Sequence, residues 1–159
     1  MLELITGVIV AIITSIVGPI IYDIWKRRQE LPASTISQDI KQVLENVYHV
    51  VLERELDSKG LNNYGMQLQR RDKNLRMIIK EIGSSEEYLN RFVRLVSPQQ
   101  AVRLIYLHFL CREPESEDIV REHVDMLNER GWQYVIGKIV DSEEYLSRFG
   151  EHSVPHRNM

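Results

Sequence analysis

Residues 84–93 read SSEEYLNRFV and residues 141–150 read DSEEYLSRFG, so the chain spells nearly the same ten residues twice, fifty-seven positions apart. In each copy Ser84 or Asp141 stands three residues before a glutamate, Glu87 or Glu144, the pattern of a capping box that opens a helix. The same glutamate lies four before Arg91 or Arg148, an exposed helical pair worth only ~0.3–0.5 kcal/mol. Tyr88 and Phe92, like Tyr145 and Phe149, are four apart and share one helical face. These spacings predict two short helices, each burying two rings.

The echo extends outward. YHVVLERE (48–55) matches YLHFLCRE (106–113) at an offset of fifty-eight, with a Tyr–Leu face and then Arg-Glu where the helix ends. A turn follows each, Asp57-Ser58 or Glu115-Ser116, and opens a helix predicted to end on an αL-tolerant residue, Asn74 or Gly131. LRMIIKEI (75–82) and WQYVIGKI (132–139) come next, and the one-residue change of offset falls near 70–73. Matched turns and helices predict an internal duplication, copies 37–95 and 96–150, packed as one globule because two units are too few for a solenoid.

Capping residues place the other helices. Ser37 opens one through about Leu56, with Ile40, Val43, Val47 and Val51 on its apolar face and Leu44, Tyr48 and Leu52 beside them. Ser97-Pro98 is a cap followed by proline at the first helical position, for a helix to about Cys111. Ser116 caps a helix that stops at Gly131. No stretch alternates as a strand does, so the domain at 37–150 is predicted all-α, with a tail at 151–159.

The N-terminus reads differently. LITGVIVAIITSIVGPIIY, residues 4–22, carries no charge, and as a helix it spans about 28 Å, close to the ~30 Å of a bilayer core. Leu4, Ile5, Val8, Ile12, Ile16 and Ile20 distribute apolar surface around the helix. Tyr22 and Trp25 fall at interface depth, and Lys26-Arg27-Arg28 follows. The prediction is a single transmembrane anchor at 1–28. A cleaved signal peptide would want positive charge before the run, where Glu3 stands, and a small-residue cleavage site after it, where DIWKRR stands. A buried or oligomerising helix is the remaining alternative. The positive flank puts everything after Trp25 on the cytoplasmic side or its organellar equivalent. A linker at 29–36, QELPASTI, joins anchor to domain.

Charge and composition exclude some functions. The chain has 159 residues, 20 Lys+Arg against 23 Asp+Glu, and net charge −3. Residues 1–28 hold Lys26, Arg27 and Arg28 against Glu3 and Asp23, so the rest is more acidic still. That argues against a nucleic-acid partner. A single cysteine, Cys111, rules out an intramolecular disulfide and suits a reducing compartment. At a helix end beside Phe109 and Leu110 it reads as a buried, inert thiol. The histidines form no His-Glu-x-x-His motif, and there is no cysteine cluster or glycine-rich phosphate loop. His108 on an apolar helix reads as a satisfied core residue, His123 as a partly exposed helix residue, and His152 and His156 as tail residues. No catalytic or metal-binding constellation emerges. Candidate partner contacts are Tyr64, Trp132 and Tyr134, each equally suited to the core, and Arg70 and Arg71 in QRRDK (69–73), equally a solvated helix end.

Residues 106–157 carry a resemblance. Tyr106, Leu110, Arg112 and Pro114; His123 and Val124; Gly131 and Trp132; Asp141, Ser142, Glu144 and Tyr145; Phe149 and Gly150; and Val154, Pro155 and Arg157 fall in the order seen in the second half of a phycobilisome linker domain. NVYHVVLERELD, MQLQRRD and SSEEYLNRF resemble its first half more loosely, so the likeness covers about 37–157. Cys111 stands where that family usually has glycine, His156 where it has an aromatic, and the domain is acidic where antenna linkers are typically basic. The resemblance implies a compact, all-helical, non-catalytic domain that sits inside stacked phycobiliprotein rings and joins disks to one another or to the core. It implies no covalently bound cofactor, with bilins of the partners nearby. With the anchor, it implies a single-pass thylakoid protein whose soluble domain, on the cytoplasmic (stromal) side, tethers antenna to the membrane and its photosystems. The alternative is a membrane-anchored helical adaptor that recruits a cytoplasmic partner unrelated to light harvesting.

Overall fold

In a computed structural model that describes residues 36–156, Ser37 opens the first helix, its Oγ accepting from Ile40 N–H at 3.4 Å. Helix α1 (Gln38–Leu52) buries Leu44, Val47, Tyr48, Val51 and Leu52 along one face. It stops short of Leu56 because Glu53 turns left-handed, with φ 50°. Helix α2 (58–69) is capped by Asp57 Oδ1 on Gly60 N–H at 2.6 Å. Its middle, Leu61–Gly65, has π-type bonding between the α-helical turns Ser58–Gly60 and Met66–Gln69. Asn74 does not end this helix as expected. Arg71 takes the left-handed conformation, φ 58°, and Asn74 is extended and caps α3 (Leu75–Gly83), accepting from Met77 N–H at 2.9 Å. An asparagine side chain reaches the free N–H groups of a helix start, so it serves either end of a helix, and spacing alone did not say which.

Helix α4 (86–93) closes the first copy, with an α-helical Glu86–Tyr88 and π-type Leu89–Val93. The second copy repeats the order as α5 (Pro98–Leu110), α6 (Glu117–Arg130), α7 (Trp132–Val140) and α8 (Glu143–Phe149). Ser97 and Ser116 cap α5 and α6 as the sequence predicts, and Gly131, φ 84°, ends α6. The described residues therefore form eight helices and no strand.

The two copies share one core. α7 packs on α3 across the copies, and α5 packs on α6, α7 and α4. Leu44, Val47, Ile78 and Ile79 of the first copy and Val102, Ile105, Val135 and Ile136 of the second are fully buried in a single cluster. Gly83 marks a close approach, since a Cβ there would lie 2.4 Å from Phe109 Cζ. The tail joins in: Arg76 N–H at the start of α3 donates to Glu151 O at 3.1 Å, Pro155 is buried, and His156 packs on Phe149 with centroids 5.7 Å apart. The tail thus fills one of the unpaired N–H groups that open a helix.

The chain divides between Thr35 and Ile36 into two units, and the described residues belong to the second. The predicted anchor (Leu4 to Arg28) lies outside them. Among the described residues no helix is long and apolar enough to cross a membrane.

Candidate functional site

The repeated ten residues anchor a repeated clasp. α1 and α5 each end on a non-glycine residue in the left-handed region, Glu53 (φ 50°) and Cys111 (φ 52°). The turn brings the next residue, an arginine, against the echo helix. Arg54 Nε and Nη2 donate to the two carboxylate oxygens of Glu87 at 2.5 and 2.9 Å. Arg112 does the same to Glu144 at 2.7 and 2.6 Å. Each Nη1 donates to the following carbonyl, Glu55 O at 2.8 Å or Glu113 O at 2.9 Å. Each guanidinium also lies over a tyrosine of its own copy, Tyr48 at 4.8 Å or Tyr106 at 5.3 Å.

This geometry corrects the capping-box reading. The caps are Ser85 and Ser142, whose hydroxyls accept from Tyr88 N–H at 3.3 Å and Tyr145 N–H at 3.2 Å. Glu87 and Glu144 instead reach arginines 33 and 32 residues away. A planar guanidinium offers two charge-assisted hydrogen bonds where the backbone offers one neutral donor, and the serine one position later is free to cap. The Arg54 hydrogen bonds hold the Glu87 carboxyl below its usual range, and those of Arg112 do so for Glu144. The helical pair expected for the second copy does form, Arg148 Nη1 lying 3.3 Å from Glu144 Oε1 and donating to Leu110 O at 2.6 Å. Asp141, expected as a cap, pairs across the copies with Arg76 and Lys80.

Most family-motif positions therefore have a structural task. Tyr106 and Leu110 are buried on α5, and Arg112 with Glu144 is the clasp. Pro114 is half-buried in the turn that follows. His123 donates to Ile119 O at 3.0 Å and faces Tyr106 Oη at 3.4 Å. Gly131 and Gly150 supply φ of 84° and 63°, Ser142 caps, Tyr145 and Phe149 are buried, and Val154 packs against the core. Cys111 is half-buried rather than fully enclosed, since a left-handed cap turns its side chain away from the helix face. Cys111 holds this left-handed conformation at a steric cost that only glycine would avoid.

Each clasp borders a groove. In the first copy Tyr48, Leu52, Ile82, Ser85 and Glu87 line a space of about 280 Å³. In the second the matching Tyr106, Leu110, Ile139, Ser142 and Glu144 line one of about 760 Å³. Tyr64 lines the narrow groove and His123 the wide one. Tyr134 also lines the wide groove, with Arg130 stacked 4.0 Å from its ring centroid. Trp132 is half-buried against the core and its indole N–H has no protein partner. Arg70 is half-buried and Arg71 exposed at the end of α2, where Arg71 borders a third groove with Lys73 and His152. The candidate contacts are thus spread over both copies and do not converge on one patch.

Sequence reasoning missed the partners of the repeated glutamates and of His108. The signal for the clasp was present, since Arg54 and Arg112 recur together with Glu87 and Glu144. His108 is buried as predicted, with Nδ1 2.9 Å from Tyr88 Oη and Nε2 3.3 Å from Glu53 Oε1. Among the described residues no group of three or more His, Cys, Asp or Glu is arranged to hold a metal ion.

Known proteins resemble this chain in sequence over the same residues. The chain is 30% identical over 129 residues to the phycobilisome 27.9 kDa linker polypeptide, phycoerythrin-associated, rod, of Microchaete diplosiphon, covering 80% of this chain and 52% of that protein. It is 32% identical over 132 residues to the phycobilisome 32.1 kDa linker polypeptide, phycocyanin-associated, rod 1, of Synechocystis sp., covering 82% and 45%. It is 30% identical over 136 residues to the phycobiliprotein ApcE of Cyanophora paradoxa, covering 82% and 15%. The chain thus spans about half the length of these relatives or less. Residues 35–158 match the family profile described as Phycobilisome Linker polypeptide, which takes in the whole described fold, and the chain belongs to that family.

Proposed function

We propose that the chain is a non-catalytic, membrane-anchored linker that tethers or organises phycobiliprotein antenna at the photosynthetic membrane. The observation that carries the antenna reading is the extent of the family match, 35–158, over both copies of the fold. Relatives named for association with phycoerythrin and phycocyanin rods support phycobiliproteins as the partner class. The anchor rests on the uncharged run at 4–22 and its cationic flank Lys26-Arg27-Arg28. With the anchor in the thylakoid membrane, the helical domain stands on the cytoplasmic (stromal) side, within reach of antenna and photosystem. Bilins stay on the partner proteins. Trp132 and Tyr134 on α7, with Tyr64, Arg70 and Arg71 on the first copy, are the proposed contact residues.

Two measurements test the two halves of this reading. Tagged full-length protein is purified from its native membrane in mild detergent, under salt that keeps antennae intact. The expected eluate carries bilin absorbance; a chromophore-free eluate sinks the antenna assignment. Deleting residues 1–28 is expected to move the domain to the soluble fraction, and continued sedimentation with membranes overturns the anchor as the sole attachment.

A further inference from the structure

One ionisable group is sealed into the seam between the copies. His108 belongs to the second copy, on α5, and is 3% exposed. Both of its ring nitrogens meet first-copy groups: Tyr88 Oη on α4 at 2.9 Å and Glu53 Oε1, on the left-handed cap of α1, at 3.3 Å. Phe92 packs edge-on against the ring, with centroids 4.7 Å apart, and Arg91 lies over Phe92 on its own helix. Glu53 and Tyr88 are thus the titratable groups that touch the imidazole, and Arg91 is the cation behind the aromatic wall.

One proton arrangement satisfies all three groups. Glu53, as a carboxylate, only accepts, so Nε2 carries the hydrogen and donates to it; Nδ1 then accepts from the Tyr88 hydroxyl. A second proton on Nδ1 would force the Tyr88 oxygen to accept. Its own hydrogen would then need a new acceptor inside a site where Tyr88 is 0% exposed. Compensation from Glu53 is weak, because that side chain is 57% exposed and screened by solvent.

The duplication supplies an internal control. At the fifty-eight-residue offset His108 corresponds to Val50, which has no hydrogen-bonding side chain. The tyrosine matching Tyr88 is Tyr145, and its buried hydroxyl has no protein partner. Among the described residues the Glu53–His108–Tyr88 arrangement is therefore not repeated at the matching positions.

The geometry points to Glu53–His108–Tyr88 as an acid-sensitive latch between the copies: neutral His108 holds α5 to α4 and to the cap of α1, and its protonation loosens the seam. Burial also pushes the pKa of His108 below 6.5. The unfolded chain therefore takes up this proton first as pH falls. The stability it contributes is complete above 6.5 and is lost as pH drops below that value toward the folded pKa.

The test uses full-length protein in detergent, with urea midpoints followed at about pH 7.5 and about pH 5.5, which bracket an ordinary histidine. Wild type is expected to lose more of its midpoint on acidification than His108→Gln, which keeps a donor and an acceptor but takes up no proton. An equal loss in the two proteins overturns the latch. Should the variant fail to fold, NMR titration of ring-labelled histidine in wild type decides. Tyr88 and Phe92 ring signals that shift together with the His108 titration support the latch, and ring signals unchanged through that titration overturn it.

Discussion

Tyr88 and Tyr145 occupy matching places in the two copies, and each is 0% exposed. Only Tyr88 gives its hydroxyl to a protein partner, His108. Tyr88→Phe should therefore cost about 1–2 kcal/mol, because it strands the buried Nδ1 of His108 without a donor. Tyr145→Phe removes a hydroxyl that has no protein partner and should change stability by no more than ~0.5 kcal/mol in either direction. Urea unfolding of both variants at neutral pH checks this, and equal costs would refute the asymmetry. Residue-level identity is partly legible in the sequence: an aromatic stripe four residues apart is a local pattern, and both rings of each stripe are buried. His108 was legible as a core residue. Its partners were not, since Glu53 and Tyr88 lie 55 and 20 residues away in sequence and meet it only through packing.

At the scale of the element, the repeated SEEY motif holds two helix junctions closed. Each guanidinium joins the end of one long helix, through its left-handed cap, to the start of the helix three elements later. The pairs are only partly shielded, with Arg112 27% and Glu144 35% exposed, so the charge interaction is screened. Glu144→Gln should cost roughly 1–2 kcal/mol, the loss of one charge-assisted hydrogen bond discounted for exposure. Arg112→Lys should cost a similar amount, because an ammonium cannot reproduce the planar fork. The double variant should lose less than the sum of the two, and strict additivity would show that the clasp is not a coupled unit. The acid limb follows by linkage. Glu144 has its folded pKa lowered from 4.5, so the stability it contributes is present above 4.5 and is lost as pH falls through the lowered value. Glu144→Gln should flatten that limb. The capping box was misplaced by one residue because Ser84-Ser85 and Asp141-Ser142 both offer two consecutive capping residues. Choosing between them depends on a distant arginine, which local spacing does not contain.

Over the whole molecule, the duplication was legible because helix starts and stops are written in local chemistry: Ser37, Ser97 and Ser116 as caps, Gly131 as a stop. How the copies interlock was not, because that is decided by volumes at the seam. Gly83 admits Phe109, where a Cβ would also lie 3.2 Å from Ile136 Cγ2. Lys80 and Arg76 of the first copy share Asp141 of the second, and the tail returns to cap α3 at Glu151. The contacts of Gly83, Lys80 and Arg76 with Phe109, Ile136 and Asp141 cross between the copies, and residues of both copies form one buried cluster, so neither half has a closed core of its own. A chain of about 60 residues is marginal even with a complete core. Residues 36–95 and 96–156, expressed separately, should each show helical circular dichroism but no cooperative urea transition, whereas 36–156 should unfold in one step. Mixing the halves should restore a cooperative transition that depends on concentration, as mass action requires when two pieces share one core. A sharp transition in either half alone would mean that the copies are independent domains, and would leave the His108 seam a surface contact rather than a structural joint.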